Sequence, residues 1–280
     1  MSTFSFNSVG FLASLGIPVV SLSTAFFEAA GIVDSNQKLA VNTLVKNLQN
    51  AGLWDKMIAI YPFVGGTQQA HVLNLKDPRN NDAAYRLSLY SDTSAITNHD
   101  ANGMQFKHTW ANTFFNPLHN FNPGKGDHIS VYVRYRDLAE SGDLVDMGSY
   151  QGGDHHLLSS ADPVVGSLSR PTALAEYHAG YTVFQSATQG MGYYVLTGMG
   201  SNTQGTFYEN GVSIGVVADA TGTPPNLPFY IGTLNLNGSA YVVSTRQYAF
   251  CTIGDYLSSG ENVILYNIIQ QFQTTLGRAI

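Results

Sequence analysis

The chain has 280 residues, of which 44% are hydrophobic, 12% aromatic and only 11% charged, with a formal net charge of −6. A soluble domain ordinarily carries about 25% charged residues. Here Gly, Ser, Thr and Asn take up the difference, at roughly a third of the chain. The apolar content excludes disorder, the composition excludes a heptad coiled coil, and 13 Lys and Arg against 19 Asp and Glu leave no footprint for a nucleic-acid partner. An all-β chain rich in turns remains.

Residues 1–22 read as an arm. They hold Gly10, Gly16 and Pro18, show no helical period, and carry too much Phe, Val and Leu to stay in water, so docking on the chain's own domain or on a neighbour is expected. The first basic residue is Lys38, which leaves no positive start for a secretory leader. The stretch from Phe4 to Phe27 is interrupted by Asn7, Pro18 and several hydroxyl residues, whereas a membrane span needs about 20 mostly apolar residues. Assembly in a cytoplasm is expected, without membrane insertion.

Residues 23–57 form a helical lead-in. Ser23 opens one helix that Gly31 ends. Asp34 opens a second, with Gln37 as its capping-box partner; Val41, Leu44, Val45 and Leu48 lie on one stripe and Gly52 ends it.

Residues 58–280 read as a sandwich with a closing helix. Strand patterns recur at 58–64, 85–90, 128–135, 181–184, 193–196, 229–232 and 246–253, and Asn210-Gly211 is a two-residue hairpin turn. About ten to thirteen short strands imply an antiparallel β-sandwich or jelly roll. Ser258-x-x-Glu261 caps a final helix with a stripe of Leu265, Ile268, Ile269, Phe272 and Leu276. The lone Cys251 lies in an apolar run and reads as a small buried hydrophobe.

Several chemistries are weighed against these strands. Glycoside hydrolysis ordinarily needs two carboxyl groups flanking the bond. The chain has Glu28, Glu140, Glu176, Glu209 and Glu261, and of these Glu28 and Glu261 belong to helices and Glu209 flanks a turn. Asp143 and Asp146, three apart, point to opposite faces of a strand. Gly211-Val-Ser213-Ile-Gly215 matches a nucleophile elbow in letters, but it runs from a hairpin turn into a strand rather than into a helix. Asp154-His155-His156 groups possible metal ligands, but neighbours on a strand diverge, and the bland reading is a loop in solvent. Asp77 to Asp82 offers oxygen ligands that calcium would accept, and turn chemistry accounts for them equally well. No metal or catalytic residue is assigned. For a sugar, which presents both CH faces and hydroxyl edges, the candidates by residue type are Trp110, Tyr193, Tyr194, Tyr208 and Asn210.

Two distant blocks carry a resemblance. Gly52-Leu-Trp-Asp-Lys-Met-Ile-Ala-Ile-Tyr-Pro-Phe-Val-Gly-Gly66, with Asn74-Leu-Lys-Asp-Pro78 and Asp82-Ala-Ala-Tyr-Arg-Leu87, resembles the opening of a group of tailed-bacteriophage virion proteins. Tyr208-Glu-Asn-Gly211, Tyr230-Ile-Gly232, Ala249-Phe-Cys-Thr-Ile-Gly254 and Phe272-Gln-Thr-Thr-Leu-Gly-Arg278 resemble its ending. The match covers residues 23 to 278 and leaves the arm outside. It implies a concanavalin A-like (laminin-G-like) jelly roll and a place in the virion, as capsid decoration, head fibre or tail component. The expected function is therefore non-enzymatic and structural. The N-terminal region would attach the chain to other virion proteins, and copies would assemble as a trimer or higher ring. The alternatives are a carbohydrate-binding adhesin for host surface glycans and a glycan hydrolase.

Overall fold

The computed structural model describes residues 23–91, 97–137, 144–167, 170–178, 180–199, 204–217, 222–241 and 243–280. The arm of residues 1–22 lies outside them. The lead-in holds helix α1, Thr24–Ala30, closed by Gly31 at φ 66°, and helix α2, Ser35–Asn50. The Asp34 carboxylate accepts the Gln37 amide at 2.8 Å, as the spacing implies. Gln37 does not complete the expected box: its side-chain oxygen accepts from the Gly65 amide at 2.8 Å and ties the helix to a loop.

Two sheets follow, with helix α3, Gln68–His71, in the long connection after residue 61 and helix α4, Pro117–Asn120, in a later one. The first sheet runs β13 (Val212–Val217), β12 (Gly205–Glu209), β11 (Gly192–Gly198), β6 (Asp127–Tyr135), β17 (Gln247–Gly254), β4 (Gly103–Gln105) and β3 (Asn98–Asp100). Strand β1, Met57–Tyr61, also pairs with β17. The second sheet runs β10 (Gly180–Gln185), β9 (Arg170–Tyr177), β8 (Asp154–Ser167), β7 (Met147–Gln151), β14 (Tyr230–Ile231), β5 (Thr109–Asn112) and β2 (Ser88–Ser91). Strand β15, Leu234–Leu236, lies parallel beside β7 and carries β16, Ser239–Tyr241. All other pairings are antiparallel. This is the expected sandwich, with more strands than the sequence suggests.

The closing helix α5, Ser259–Thr275, has the full capping box between Ser258 and Glu261. It lies over the first sheet beside α2. Phe272 meets Phe250 at 5.7 Å between ring centroids, and Asn47 bonds Gln271 at 3.0 Å. The first sheet is thus covered twice, by the second sheet and by helices. Every residue of β11 and of β17 is buried as a result. The hairpin between β12 and β13 turns at Asn210 and Gly211, both at positive φ (50° and 77°), the pair that a type I′ turn needs.

Two buried arginines close the structure. Gly277, at φ 69°, ends α5 so that the amide of Arg278 returns to the Gln273 carbonyl at 3.0 Å. The Arg278 guanidinium then donates to the carbonyls of Pro62 (2.7 Å), Phe63 (2.8 Å) and Ala249 (2.8 Å) and to the Gln273 side chain (2.5 Å). The opening strand, the last strand and the closing helix therefore meet at one cation. Arg246 bonds Asp146 at 2.7 Å, both fully buried, and joins the start of β17 to the start of β7 across the sandwich.

Candidate functional site

Among the described residues, the second sheet has one face packed on the core and one facing outward. Its inward residues include Met147, Leu158, Ala175, Ile231 and Ala111, all in the main core. Their neighbours along each strand point outward. There, Val145, Leu157, Leu174 and Leu234 form a separate apolar cluster with Tyr150, Val183 and Leu236 packed against it. These residues floor a cavity of about 470 Å³, rimmed by Tyr150, Tyr181 and Tyr241, with His155 and Glu176 in its wall.

Local rules place each of these side chains. Gly152 and Gly153 turn at φ 62° and 105°, giving a two-residue hairpin that sets Tyr150 opposite His155. The two rings lie 5.1 Å apart. In register, Leu157 faces Glu176 and Glu176 faces Tyr181, so three strands send one row outward. The His155 Nδ1 and Glu176 Oε2 atoms are 2.5 Å apart. Asn237 and Gly238 make a second hairpin turn that brings Tyr241 opposite Leu234. Tyr181 is 52% exposed and Tyr241 41%, so both present ring surface to solvent. The arrangement offers aromatic faces for apolar CH surfaces, and a carboxylate, an imidazole and phenols for hydroxyls.

The residues chosen from sequence fall elsewhere. Tyr193 and Tyr194 are fully buried and Tyr208 is 5% exposed, so their rings are core and offer no platform. The physical reason is the double cover on the first sheet, which buries both faces of β11. Tyr193 donates to Ser130 at 2.9 Å, and the Tyr194 hydroxyl meets Thr188 at 2.6 Å. Asn210 serves its turn, its side-chain oxygen accepting from the Tyr193 amide at 2.9 Å. Trp110 lies on the outward face of the second sheet, stacked on Tyr90 with centroids 6.1 Å apart, and half-buried. It shares that face with the cavity but does not line it. Tyr230, paired with Asn112 and Gly148, stands between them on the same face.

Other expectations also resolve. Asp154, His155 and His156 do not form a loop; they begin β8, with His155 outward and His156 inward. Asp77 pairs with Arg79 and Asp82 with Arg86, and Asn81 caps a short turn, so the oxygens of that segment are engaged within it. Asp143 lies outside the described residues, while Asp146 is locked to Arg246. Glu209 accepts from the Thr188 amide at 2.8 Å and the Ala187 amide at 3.1 Å, a structural latch. Ser213 lies within β13, not at an elbow. Cys251 is buried, and burial pushes its thiol pKa up. Among the described residues, Glu176 is the one carboxylate lining the cavity. The sequence signal for this site was the pair of turns, Gly152-Gly153 and Asn237-Gly238, which mark hairpins with aromatic flanks.

No protein-family model matches the chain, and no curated protein matches it. Among solved structures the chain is similar to domain 4 of AbnA, a GH43 extracellular arabinanase from Geobacillus stearothermophilus, solved in complex with arabinotriose. The identity is 13% and the TM-score 0.50, over 75% of this chain and 98% of that one. It is also similar to the receptor-binding domain of botulinum neurotoxin D, at 10% identity and TM-score 0.48, over 76% of this chain and 53% of that one. The binding domain of serotype G gives 10% and 0.46, over 76% and 51%. The chain spans about half the length of the neurotoxin domains it matches. The similarity to the arabinanase domain shows the β-sandwich fold and nothing finer.

Proposed function

We propose that the chain is a non-enzymatic, glycan-binding β-sandwich. One observation carries the reading: the tyrosine-rimmed cavity on the uncovered face of the second sheet, with Glu176 and His155 in its wall. Its volume falls in the range of small-molecule clefts, about 300–1,000 Å³. A sugar ring laid on Tyr181 or Tyr241 would hide its CH face while its hydroxyls reach Glu176 and His155. A domain of this fold was solved with arabinotriose, which makes a short oligosaccharide the first ligand to try. Hydrolysis is less well supported, because a single carboxylate among the described lining residues lacks the second that bond cleavage ordinarily requires. The test is a glycan array on the purified chain, followed by titration of the strongest saturable hit. Tyr181→Ala and Glu176→Gln should each weaken it about tenfold or more. An array without saturable hits, or hits indifferent to both changes, would remove this reading.

A second reading concerns where the protein works. We infer a subunit of a tailed-phage particle, attached by its N-terminal region to other virion proteins, assembled with copies of itself, and presenting the second sheet outward. The supporting observation is that the distant blocks of the resemblance come together in space. The opening block supplies β1 and the Pro62 and Phe63 carbonyls; the ending supplies β17 and Arg278. Deleting residues 1–22 should leave a folded sandwich that no longer joins particles. Normal incorporation of the truncated chain would overturn the attachment.

A further inference from the structure

The inward neighbour of His155 leads to a different site. His156 faces the sandwich interior, where it meets Asp127, the first residue of β6, and His178, just after β9. Asp127 thus comes from the first sheet and both histidines from the second. All three are buried, and their ligand atoms lie within 4.8 Å of one another. The His156 Nε2 atom is 3.7 Å from Asp127 Oδ1, and the His178 Nε2 atom is 3.8 Å from Asp127 Oδ2. These separations are too long for hydrogen bonds. Among the described residues, Asp127 Oδ1, both nitrogens of His156 and His178 Nε2 have no hydrogen-bond partner. Buried polar atoms in folded proteins are almost always paired. One such atom from each of the three residues lies within 4.8 Å of the others, which calls for something between them.

We propose that Asp127, His156 and His178 bind a divalent cation of the zinc class, which bridges the two sheets. Two imidazoles and one carboxylate are a borderline-soft donor set that suits zinc and its transition-metal neighbours. Ligands at about 2.0–2.1 Å from a tetrahedral ion stand about 3.3–3.4 Å apart, so the separations of 3.7 and 3.8 Å, made to the two oxygens of Asp127, close by a few tenths of an ångström and the widest, within 4.8 Å, by up to about 1.5 Å as the ion draws the side chains in. The surroundings hold the ligands in place. Tyr177 stacks on His178 at 4.0 Å, meets His156 edge-on at 5.0 Å and donates to Asp127 Oδ2 at 3.2 Å. Such outer contacts orient metal ligands. Neutral imidazoles each offer a lone pair to a metal, and a cation would supply the positive charge that the buried Asp127 carboxylate otherwise lacks beside two rings and a phenol. A cavity of about 240 Å³, lined by Asp127, His178, Phe121, Gly222 and Pro224 among others, adjoins the cluster and gives an ion a way in. A water in that cavity would fill the fourth position.

The test uses the full chain, stripped with a chelator and then dialysed against Zn²⁺. Elemental analysis should find one zinc per chain, the melting temperature should rise with Zn²⁺ and fall with EDTA, and Co²⁺ should give the visible absorption of a four-coordinate centre. His178→Gln, near the surface, should weaken zinc binding by more than the roughly 10–100-fold cost of losing an outer-shell partner and should abolish the thermal response. Asp127→Asn is the second variant and should do the same. His108→Ala, at an exposed histidine away from the cluster, should bind as the parent does. A parent chain that takes up no zinc and melts alike in Zn²⁺ and EDTA would overturn the proposal. Binding that survives both ligand substitutions, or is lost equally in His108→Ala, would also overturn it and mark surface adsorption.

Discussion

Arg278→Leu isolates the seam that joins the two ends of the chain. Arg278 is 1% exposed and its guanidinium bonds main-chain carbonyls rather than a carboxylate. Burial holds its pKa down to about 9. Leucine would leave the Pro62 and Phe63 oxygens and the Gln273 side-chain oxygen without the guanidinium, while Ala249 keeps its bond from Gln273 at 3.3 Å. A buried carbonyl stripped of its partner costs about 1–3 kcal/mol, so three cost about 6 kcal/mol at the centre of that range. Releasing a desolvated cation returns part of this, and a net loss of about 3 kcal/mol is expected. For a chain of this size about 1 kcal/mol moves the melting temperature by about 2–4 °C, so the shift should be about 6–12 °C downward. Differential scanning calorimetry reads it directly. Arg278→Lys should fall between, because one ammonium cannot span carbonyls that a planar fork reaches together. Glycan binding at 25 °C should survive both changes, since the cavity lies on the other sheet. A leucine variant that melts within about 2 °C of the parent would refute the reasoning that this cation closes the structure.

Three further outcomes follow from named contacts. A tyrosine side chain covers about 150–250 Å², so the 52%-exposed Tyr181 offers about 100 Å²; a sugar hiding half of that gains about 1.3 kcal/mol, and calorimetric titration of Tyr181→Ala should show about a tenfold weaker ligand with little change in melting. His71 is buried against His99, with their Nδ1 atoms 3.0 Å apart, and burial first, then His99 and Arg278, lower its pKa to about 3. Below the ordinary value of about 6.5 only the unfolded chain takes up this proton, so His71 costs about 2 kcal/mol of stability at pH 5, a penalty that grows until the pH reaches the folded value near 3. Urea denaturation at pH 7 and pH 5 should show a smaller acid loss for His71→Gln; an equal loss would place the acid sensitivity elsewhere. Arg246→Met alone leaves Asp146 charged and buried, and should cost about 3–5 kcal/mol, whereas adding Asp146→Leu should recover most of it. A double variant no more stable than the single would show that the pair's other bonds, from Tyr248 and the Ser160 amide to Asp146, dominate.

What the sequence made legible was local. Asp34 and Ser258 cap helices because their side chains reach amides three residues ahead, and Asn210-Gly211 turns because those two residues tolerate positive φ. The hidden part depended on which faces meet water. Alternation puts half of a strand's tyrosines outside only when one face is wet, and every residue of β11 is buried. The reverse holds on the second sheet, where Leu157, Leu174, Leu234 and Tyr150 face outward and blur the alternation that would reveal strands. In the sequence, His155 and His156 read as adjacent and divergent. The divergence is real, but each finds its partners through register: Glu176 across the sheet for one, Asp127 across the sandwich for the other.

The same covering argument separates scaffold from site. Where β11 and β17 have every residue buried, the first sheet leaves little surface for a ligand, and the resemblance blocks at β1, β17 and α5 lie in or against that part. They can specify the frame while saying nothing of what the frame binds. Binding then falls to the second sheet, whose outward face carries Tyr90, Trp110, Tyr230, Tyr150, Tyr181 and Tyr241 from one side to the other. The scarcity of charge fits this division. Arg246 and Arg278 are buried and satisfy polar groups between layers. The outward face is left largely to tyrosine and leucine, with Glu176 the one acid in its cavity among the described residues. A surface so poor in charge discriminates by shape and stacking more than by electrostatic steering. Binding at the cavity should accordingly change little between 50 and 500 mM NaCl, and a steep loss with salt, of the kind that ion-pair recognition gives, would assign recognition to charged groups outside this face.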